Sequence, residues 1–559
     1  MARRGSDADC NGMENSMDVK SVNLENYRKL VKSYIDLHLY SAALFWADKV
    51  VSLSSEDPKD VCTLAQCMYQ MKQYHRAAHL IRNRGLEKTD LMCHYLAVRS
   101  LLEAKEYGEA LQVINESEIC TNMTQSGVSF SDHTDILQDS SILYVKGRVY
   151  EATDNRTVAT DCYKQALHCD VYSYQAFEAL VQNQMLSAAE EKELLDSLPF
   201  NEQCSEADRD LLRLLYESKL KKYQAPTEDQ SLITCSITGI LVTDRLRDNL
   251  DMQVSKAERL YYNCDYHQCF SLTERILKKD PYHSSCLPVH IACLVELKKT
   301  NALFYLAHKL VDLYPDMALA WFAVGCYYYG IGKSDHARRY LAKATALDRL
   351  FGPAWLAYGH SFAVENEHDQ AMAAYFKASQ LMKGCHLPLL YIGLECGLTN
   401  NLKLADKFFQ QAQSIAPNDP FVIHETGVIS FYNLEYVRLT HISFDRIQGG
   451  LKNVILPSKW EALLNNLGHT CRKMKKYEEA LEYHQQALVL NPLNPSTYSA
   501  IGFIHALMGN TQEAVDAFHR ALGLRRDDTF TTTMLGYVME QLIDEIRRVR
   551  DAVKNGRIV

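Results

Sequence analysis

Proline and glycine are scarce, at 13 and 24 in 559 residues, so few natural breaks interrupt a chain that is 47% hydrophobic and 23% charged. That scarcity excludes a loop-rich or low-complexity protein and favours helices joined by short turns. Basic charge is not in excess either: 60 Lys and Arg stand against 69 Asp and Glu, a formal net charge of −9. Nothing in that balance draws the chain to nucleic-acid phosphates or anionic lipid. No apolar run approaches the roughly 20 residues a membrane-spanning helix needs, and residues 1–23 are polar with no signal-peptide core. The expectation is a soluble, intracellular chain with protein partners, no nucleic acid and no membrane, whose residues 1–23 form a disordered extension.

Chemistry-bearing patterns are missing as well. Seventeen cysteines are scattered with no Cys-x-x-Cys, the closest pairs being Cys62/Cys67 and Cys264/Cys269, which suits a reducing compartment and thiols used as small core residues. No His-Glu-x-x-His and no Cys/His set with zinc spacing occurs. Gly330-Ile331-Gly332-Lys333-Ser334 resembles the end of a phosphate-binding loop, but Tyr327 stands where the first glycine is required. It reads better as a turn between two helices. No catalytic, metal or cofactor-binding residues are assigned, no cofactor is expected, and the chain is read as not an enzyme.

What is present is a period of 34. Gly325, Gly359, Gly393 and Gly427 follow one another at that spacing, as do Ala337, Ala371 and Ala405, and Ala344, Ala378 and Ala412. Trp321 and Trp355 precede the first two glycines, and Pro281, Pro315 and Pro417 close repeats. The ladder restarts, after a slip of register, with Gly468, Gly502 and Gly536, Ala480 and Ala514, and Ala487 and Ala521. Upstream, Gly147, Ala159, Tyr163 and Ala166 mark one unit, and Tyr40/Ala43, Tyr74/Ala77 and Tyr107/Ala110 mark three second-helix starts. This is the tetratricopeptide (TPR) pattern, and it predicts an all-α superhelical solenoid of about 13 helix-turn-helix units. A glycine inside a helix costs about 1 kcal/mol relative to alanine, so its recurrence implies close approach of a second helix.

The pattern breaks in places. Residues 118–139 read as an exposed loop. Residues 201–249 read as a linker carrying a short helix, Leu211–Lys222, between an N-terminal block over 24–200 and a C-terminal superhelix over 250–540. Residues 436–457 are irregular, because Leu439 and Arg446 replace the expected alanines and Gly449-Gly450 follows. Residues 541–559 read as a helical tail.

Several segments go beyond what TPR folding requires: Ser41 through Lys49 (SAALFWADK), the run GPAWLAYGHSFAVENEHDQAMAAYF after Phe351, MKGCHLPLLYIGLECGLTNN ending at Asn401, ALLNNLGHTCRKMKKYEEAL from Ala462, and ALGLRRDDTF ending at Phe530. Over roughly residues 24–540 the chain resembles the family of subunit six of the anaphase-promoting complex (cyclosome), the cell-division-cycle protein 16 homologues. That resemblance implies a scaffold subunit of a multisubunit E3 ubiquitin ligase acting in mitosis, in nucleus and cytoplasm. It implies homodimerisation through 24–200, contact with other TPR subunits, and a groove over 318–540 enclosing the extended N-terminus of a small accessory subunit. It also implies a Ser/Thr- and Pro-rich acidic tail; none of the 13 prolines here follows Ser or Thr.

Positions five, nine and twelve of each first helix face inward in such a stack. They select Phe322, Cys326 and Tyr329; Leu356, His360 and Ala363; Leu390 and Leu394; His424, Val428 and Phe431; Asn465, His469 and Arg472; and Ser499 and Phe503 as groove residues. Phe322, Tyr329 and Phe431 are the expected anchors, and Asn465 the expected partner for a peptide backbone. The alternative is a co-chaperone adaptor that clamps an acidic C-terminal peptide, which needs Lys and Asn on three adjacent repeats. Only Asn465, Arg472 and Lys473 answer that description.

Overall fold

The computed structural model describes residues 23–116, 133–220, 223, 246–417, 419–432 and 460–554, and within these ranges the side chains of a few helical residues, Phe431 among them, are not described. The extension expected over 1–23 lies outside the described residues apart from Asn23, whose side chain caps the first helix by accepting from the Glu25 amide. The irregular segment 436–457 lies wholly outside them. Among the described residues there are helices and no strand.

Two compact units divide at 177/178, not near 200. The first holds the pairs Leu24–Asp36 with Tyr40–Leu53, Pro58–Gln70 with Tyr74–Arg82, Leu91–Glu103 with Tyr107–Glu116, and His133–Ala152 with Arg156–Cys169. A helix begins at His133, inside the loop expected over 118–139, whose residues 118–132 lie outside the described residues. In the second unit the helix expected at Leu211 starts at Glu206. Ser205 and Asp208 bridge that start, the hydroxyl donating to the carboxylate at 2.7 Å and accepting from the Asp208 amide at 3.3 Å. The charged stretch had hidden this cap.

The C-terminal array of the second unit runs from Leu250–Tyr262 and Tyr266–Lys279 through Cys286–Glu296 with Thr300–Leu313, Ala318–Gly330 with Ser334–Leu347, Gly352–Ala363 with His368–Leu381, and Leu387–Leu398 with Leu402–Ile415. Pro420–Tyr432, Trp460–Lys473 with Tyr477–Leu490, and Pro495–Met508 with Thr511–Leu524 follow, and Thr529–Lys554 ends the array as one continuous helix through the expected 540/541 boundary. Each helix pair turns over one residue with positive φ: His38, Lys72, Lys105, Asp154, Cys264, Lys298, Gly332, Asn366, Asn400, Lys475 and Gly509. At Gly332 the amides of Gly332 and Lys333 bond back to the carbonyls of Tyr329 and Tyr328, the paired bonds of a left-handed helix terminus. The segment that resembled a phosphate loop is this turn.

The glycine ladder is a packing device. A Cβ added at Gly325, Gly359, Gly393, Gly468 or Gly502 would come under 3.0 Å from the side chain of Leu341, Tyr375, Phe409, His484 or Phe518 on the paired helix, and at Gly147 from Tyr163. These partners are almost wholly buried. Gly536 has nothing within 4 Å of that position. The core continues from pair to pair, as where Leu287, Ile291 and Leu294 join Leu303, Ala323, Leu341 and Ala354 in one buried cluster.

The second unit also folds back on itself. The Gly384 amide donates to the Gln184 carbonyl at 2.7 Å, and Gly384 has no room for a Cβ because the Leu186 carbonyl oxygen occupies that space. Gln184 Nε2 donates to the Tyr262 hydroxyl at 2.5 Å, and Lys383 pairs with Glu190 at 2.9 Å. At the centre, His386, only 1% exposed, sets Nε2 3.0 Å from Asp419 Oδ2 and Nδ1 3.2 Å from the Tyr223 hydroxyl. Cys264 Sγ lies 3.6 Å from the same Asp419 oxygen. Burial opposes ionisation of Asp419, yet the hydrogen bond and electrostatic pull of His386, with the Val422 and Phe421 amides, outweigh it and lower its pKa.

Two outcomes are expected. Gly359→Ala should lower stability by about 1–3 kcal/mol through overpacking on Tyr375, whereas Gly536→Ala should leave it unchanged or raise it by up to about 1 kcal/mol; thermal unfolding of the two variants checks the contrast. His386→Ala leaves Asp419 buried without its imidazole, a loss on the order of 3–5 kcal/mol. Hydrogen exchange should then accelerate at 184–190 and 262–264 while the 300–347 helices keep their protection; equal protection everywhere would show that the fold-back adds no stability.

Candidate partner-binding groove

The inner face follows from which helices touch. Cys286–Glu296 packs on both Leu250–Tyr262 and Ala318–Gly330, and the latter on Gly352–Ala363, whereas second helices find their main neighbours among first helices. The stack therefore curves with its first helices inside.

At position five, Phe322, Leu390 and Ser499 are buried. Phe322 is buried and packs edge-on to Phe351 at 5.3 Å. Ser499 is buried and accepts from the Thr531 hydroxyl at 2.8 Å. Leu390 is buried in the cluster with Phe362, Ile392 and Phe409. Cys326, at position nine, is buried too, and burial pushes its thiol pKa up. These four were expected in the groove and instead lie in the layer between repeats. Asn465 is half-buried, but its Oδ1 accepts from His484 Nδ1 at 3.0 Å and Thr497 Oγ1 at 3.1 Å, and its Nδ2 donates to Glu461. Its amide is engaged in the fold. His424 likewise bridges Glu425 at 2.9 Å and Asn466 at 2.8 Å.

The remaining expected residues reach water. Leu356, Ala363, Leu394 and Val428 are half-buried, the first three against buried clusters. His469 stacks edge-on with His484 at 5.0 Å, and its pKa is lowered by burial and then by the Arg472 charge. Arg472 lies over the Phe503 ring at 5.0 Å, and burial lowers its pKa. The Phe431 side chain lies outside the described residues.

Around Tyr329 and His360 the face is aromatic. His360 sits 6.0 Å from Tyr329, 5.5 Å from Tyr375 and 4.3 Å from Tyr391, centroid to centroid, and its Nδ1 is 2.8 Å from the Tyr375 hydroxyl. Enclosure by these rings lowers its pKa to about 4, so the imidazole is neutral at pH 7. Helical phase did not select Tyr391, nor the half-buried Tyr261, Tyr262 and Tyr266 from the first described pair of the array. A signal existed in Tyr261, which precedes Tyr329 by two repeats of 34. In the first unit, spacing gave no hint that Cys62, Asp90 and Cys93 bring three potential metal-ligating atoms within 4.8 Å of one another. Three donors are one fewer than a closed structural zinc site uses.

The family model for the anaphase-promoting complex, cyclosome, subunit 3 matches residues 36–117, and tetratricopeptide-repeat models match 318–349 and 462–494. The chain is 56% identical over 538 residues to the cell division cycle protein 16 homolog of Homo sapiens, covering 94% of this chain and 85% of that protein. It is 37% identical over 545 residues to anaphase-promoting complex subunit 6 of Arabidopsis thaliana, covering 95% and 98%. In structure it is similar to a chain of the APC/C hetero-tetramer Cut9-Hcn1, with a TM-score of 0.72, 29% identity, and coverage of 93% and 96%. Identity that runs nearly end to end over the same solenoid means that this chain belongs to the cell division cycle protein 16 (anaphase-promoting complex subunit 6) family of tetratricopeptide-repeat proteins.

Proposed function

We propose that this chain is a scaffold subunit of an anaphase-promoting complex, a multisubunit E3 ubiquitin ligase of mitosis, and that it works by holding other subunits without chemistry of its own. The observation that carries the reading is the combination of near end-to-end family identity with an inner face of half-buried aromatic side chains. Such a face suits an extended segment of a partner laid along the first helices. The similar structure is a hetero-tetramer of Cut9 with Hcn1, which supports a second, different chain as that partner. A nuclear and cytoplasmic location goes with this role; no helix among the described residues is long and apolar enough to cross a membrane.

Self-association is assigned to the first unit. Its leading pair exposes Leu37 at 66%, Phe45 at 57% and Leu53 at 58%, a run of large apolar groups that a second copy would cover. The acidic-peptide clamp of a co-chaperone is disfavoured, because His360 is neutral and Asn465 is engaged by Thr497 and His484.

Affinity purification of the full chain should recover cullin-like and RING-type subunits with other TPR proteins in fixed ratio, by mass spectrometry; recovery of chaperones alone would overturn the scaffold reading. Light scattering should give twice the chain mass, and Phe45→Glu should weaken that dimer by about thirtyfold, as loss of an interface anchor worth ~2 kcal/mol does. A wild-type chain that is monomeric at all concentrations removes the self-association.

A further inference from the structure

The first unit holds a cluster of soft donors that the fold itself does not use. Cys62 lies in the first helix of the second pair, Pro58–Gln70, and Cys93 in the first helix of the third, Leu91–Glu103, two helices that pack on each other. Asp90 caps the second of these helices, its Oδ2 accepting from the Cys93 amide at 2.9 Å, which holds the carboxylate beside that cysteine. The two Sγ atoms and a carboxylate oxygen of Asp90 stand within 4.8 Å of one another. Among the described residues no lysine, arginine or histidine pairs with Asp90. Cys93 is fully buried, whereas Cys62 and Asp90 are half-buried and reach water, so the cluster has an open side. Cys67, on the same helix as Cys62, is 1% exposed among Val61, Leu64 and Met68 and takes no part in it.

We propose that Cys62, Cys93 and Asp90 form a binding site for one thiophilic divalent cation, zinc above all, which clips the second repeat of the first unit to the third. Two sulfur donors select a soft or borderline ion, since magnesium and calcium take oxygen ligands. Zinc bonds of about 2.3 Å to sulfur and about 2.1 Å to oxygen set tetrahedral ligands roughly 3.5–3.8 Å apart. Rotation of the half-buried Cys62 and Asp90 side chains closes the remaining gap with the backbone in place. As the ion binds, two S–Zn bonds and one O–Zn bond form and the two thiol protons leave to solvent. The fourth tetrahedral position goes to water, on the side where Cys62 and Asp90 reach it. An ion held by donors from two repeats stabilises their packed arrangement by mass action, because the unfolded chain does not bring those donors together.

The test uses the full chain, kept reduced with a phosphine and stripped by a chelator. It should take up one zinc per chain against a chromophoric competitor, and magnesium or calcium should not displace that zinc. Cobalt in its place should give a thiolate-to-cobalt charge-transfer band and the strong visible absorption of a tetrahedral site. Cys62→Ser should bind zinc about a hundredfold more weakly and Asp90→Asn about tenfold, since even the outer-shell partners of a metal are worth about 10–100-fold in affinity. Asparagine still caps the Leu91–Glu103 helix, so metal-free Asp90→Asn should unfold at the wild-type midpoint, which separates a lost ligand from a folding defect. Zinc should raise the thermal midpoint of the wild type and leave that of Cys62→Ser where it was. A chain that retains no zinc, or a Cys62→Ser variant that binds it as the wild type does, would overturn the site. So would a Cys62–Cys93 disulfide recovered by peptide mapping of protein alkylated at lysis, in favour of a redox pair.

Discussion

The fold depends on one contact repeated along the chain: a glycine on the first helix of a pair lying against a large buried side chain on the second. Gly359 against Tyr375 and Gly393 against Phe409 are the clearest cases, since no Cβ fits between glycine and ring. The contact sets how closely the two helices approach in the pairs of Gly147, Gly325, Gly359, Gly393, Gly468 and Gly502. Each pair then presents an apolar side that it cannot bury alone, and the next pair covers it. At Gly536 no described side chain lies within 4 Å of a Cβ position, and Gly536 sits within one long helix, Thr529–Lys554.

Turn geometry keeps the register. One residue of positive φ closes each pair, and apart from Gly332 and Gly509 these residues carry side chains, including Lys298, Asn366 and Lys475. A lysine at such a position is strained relative to glycine. It persists because the flanking helices are already held by their buried faces. The short turns also explain why so little glycine and proline suffices for so many helix ends.

Long-range polar contacts decide where the groove closes. His386, Asp419, Tyr223, Cys264 and Gln184 belong to segments far apart in sequence, and their bonds hold the first pair of the array against repeats well downstream. Removing one partner from a buried hydrogen-bonded set of this kind leaves a polar group unsatisfied and is costly, so the contacts act chiefly to specify one arrangement.

Periodicity made the helix pairs readable in advance, because a steric demand local to one pair, a small residue against a large buried side chain of the second helix, recurs at a fixed spacing. Helical phase selected Tyr329, His360, His469, Arg472 and Phe503 for the inner face, and each of them is half-buried. It failed at Phe322, Leu390 and Ser499, since a residue at position five is covered or exposed according to how closely the next first helix approaches, and that distance is set by packing across the repeat boundary. It failed at Asn465 because the amide's partner, Thr497, comes from the following repeat. Gln184 could not be joined to Gly384, nor Cys264 to Asp419, from sequence at all. The order of the chain therefore fixes the pairs and their apolar faces, through contacts between near neighbours. Which side chains meet across the groove comes from curvature and closure, which accumulate over many repeats and leave no spacing in the sequence to count.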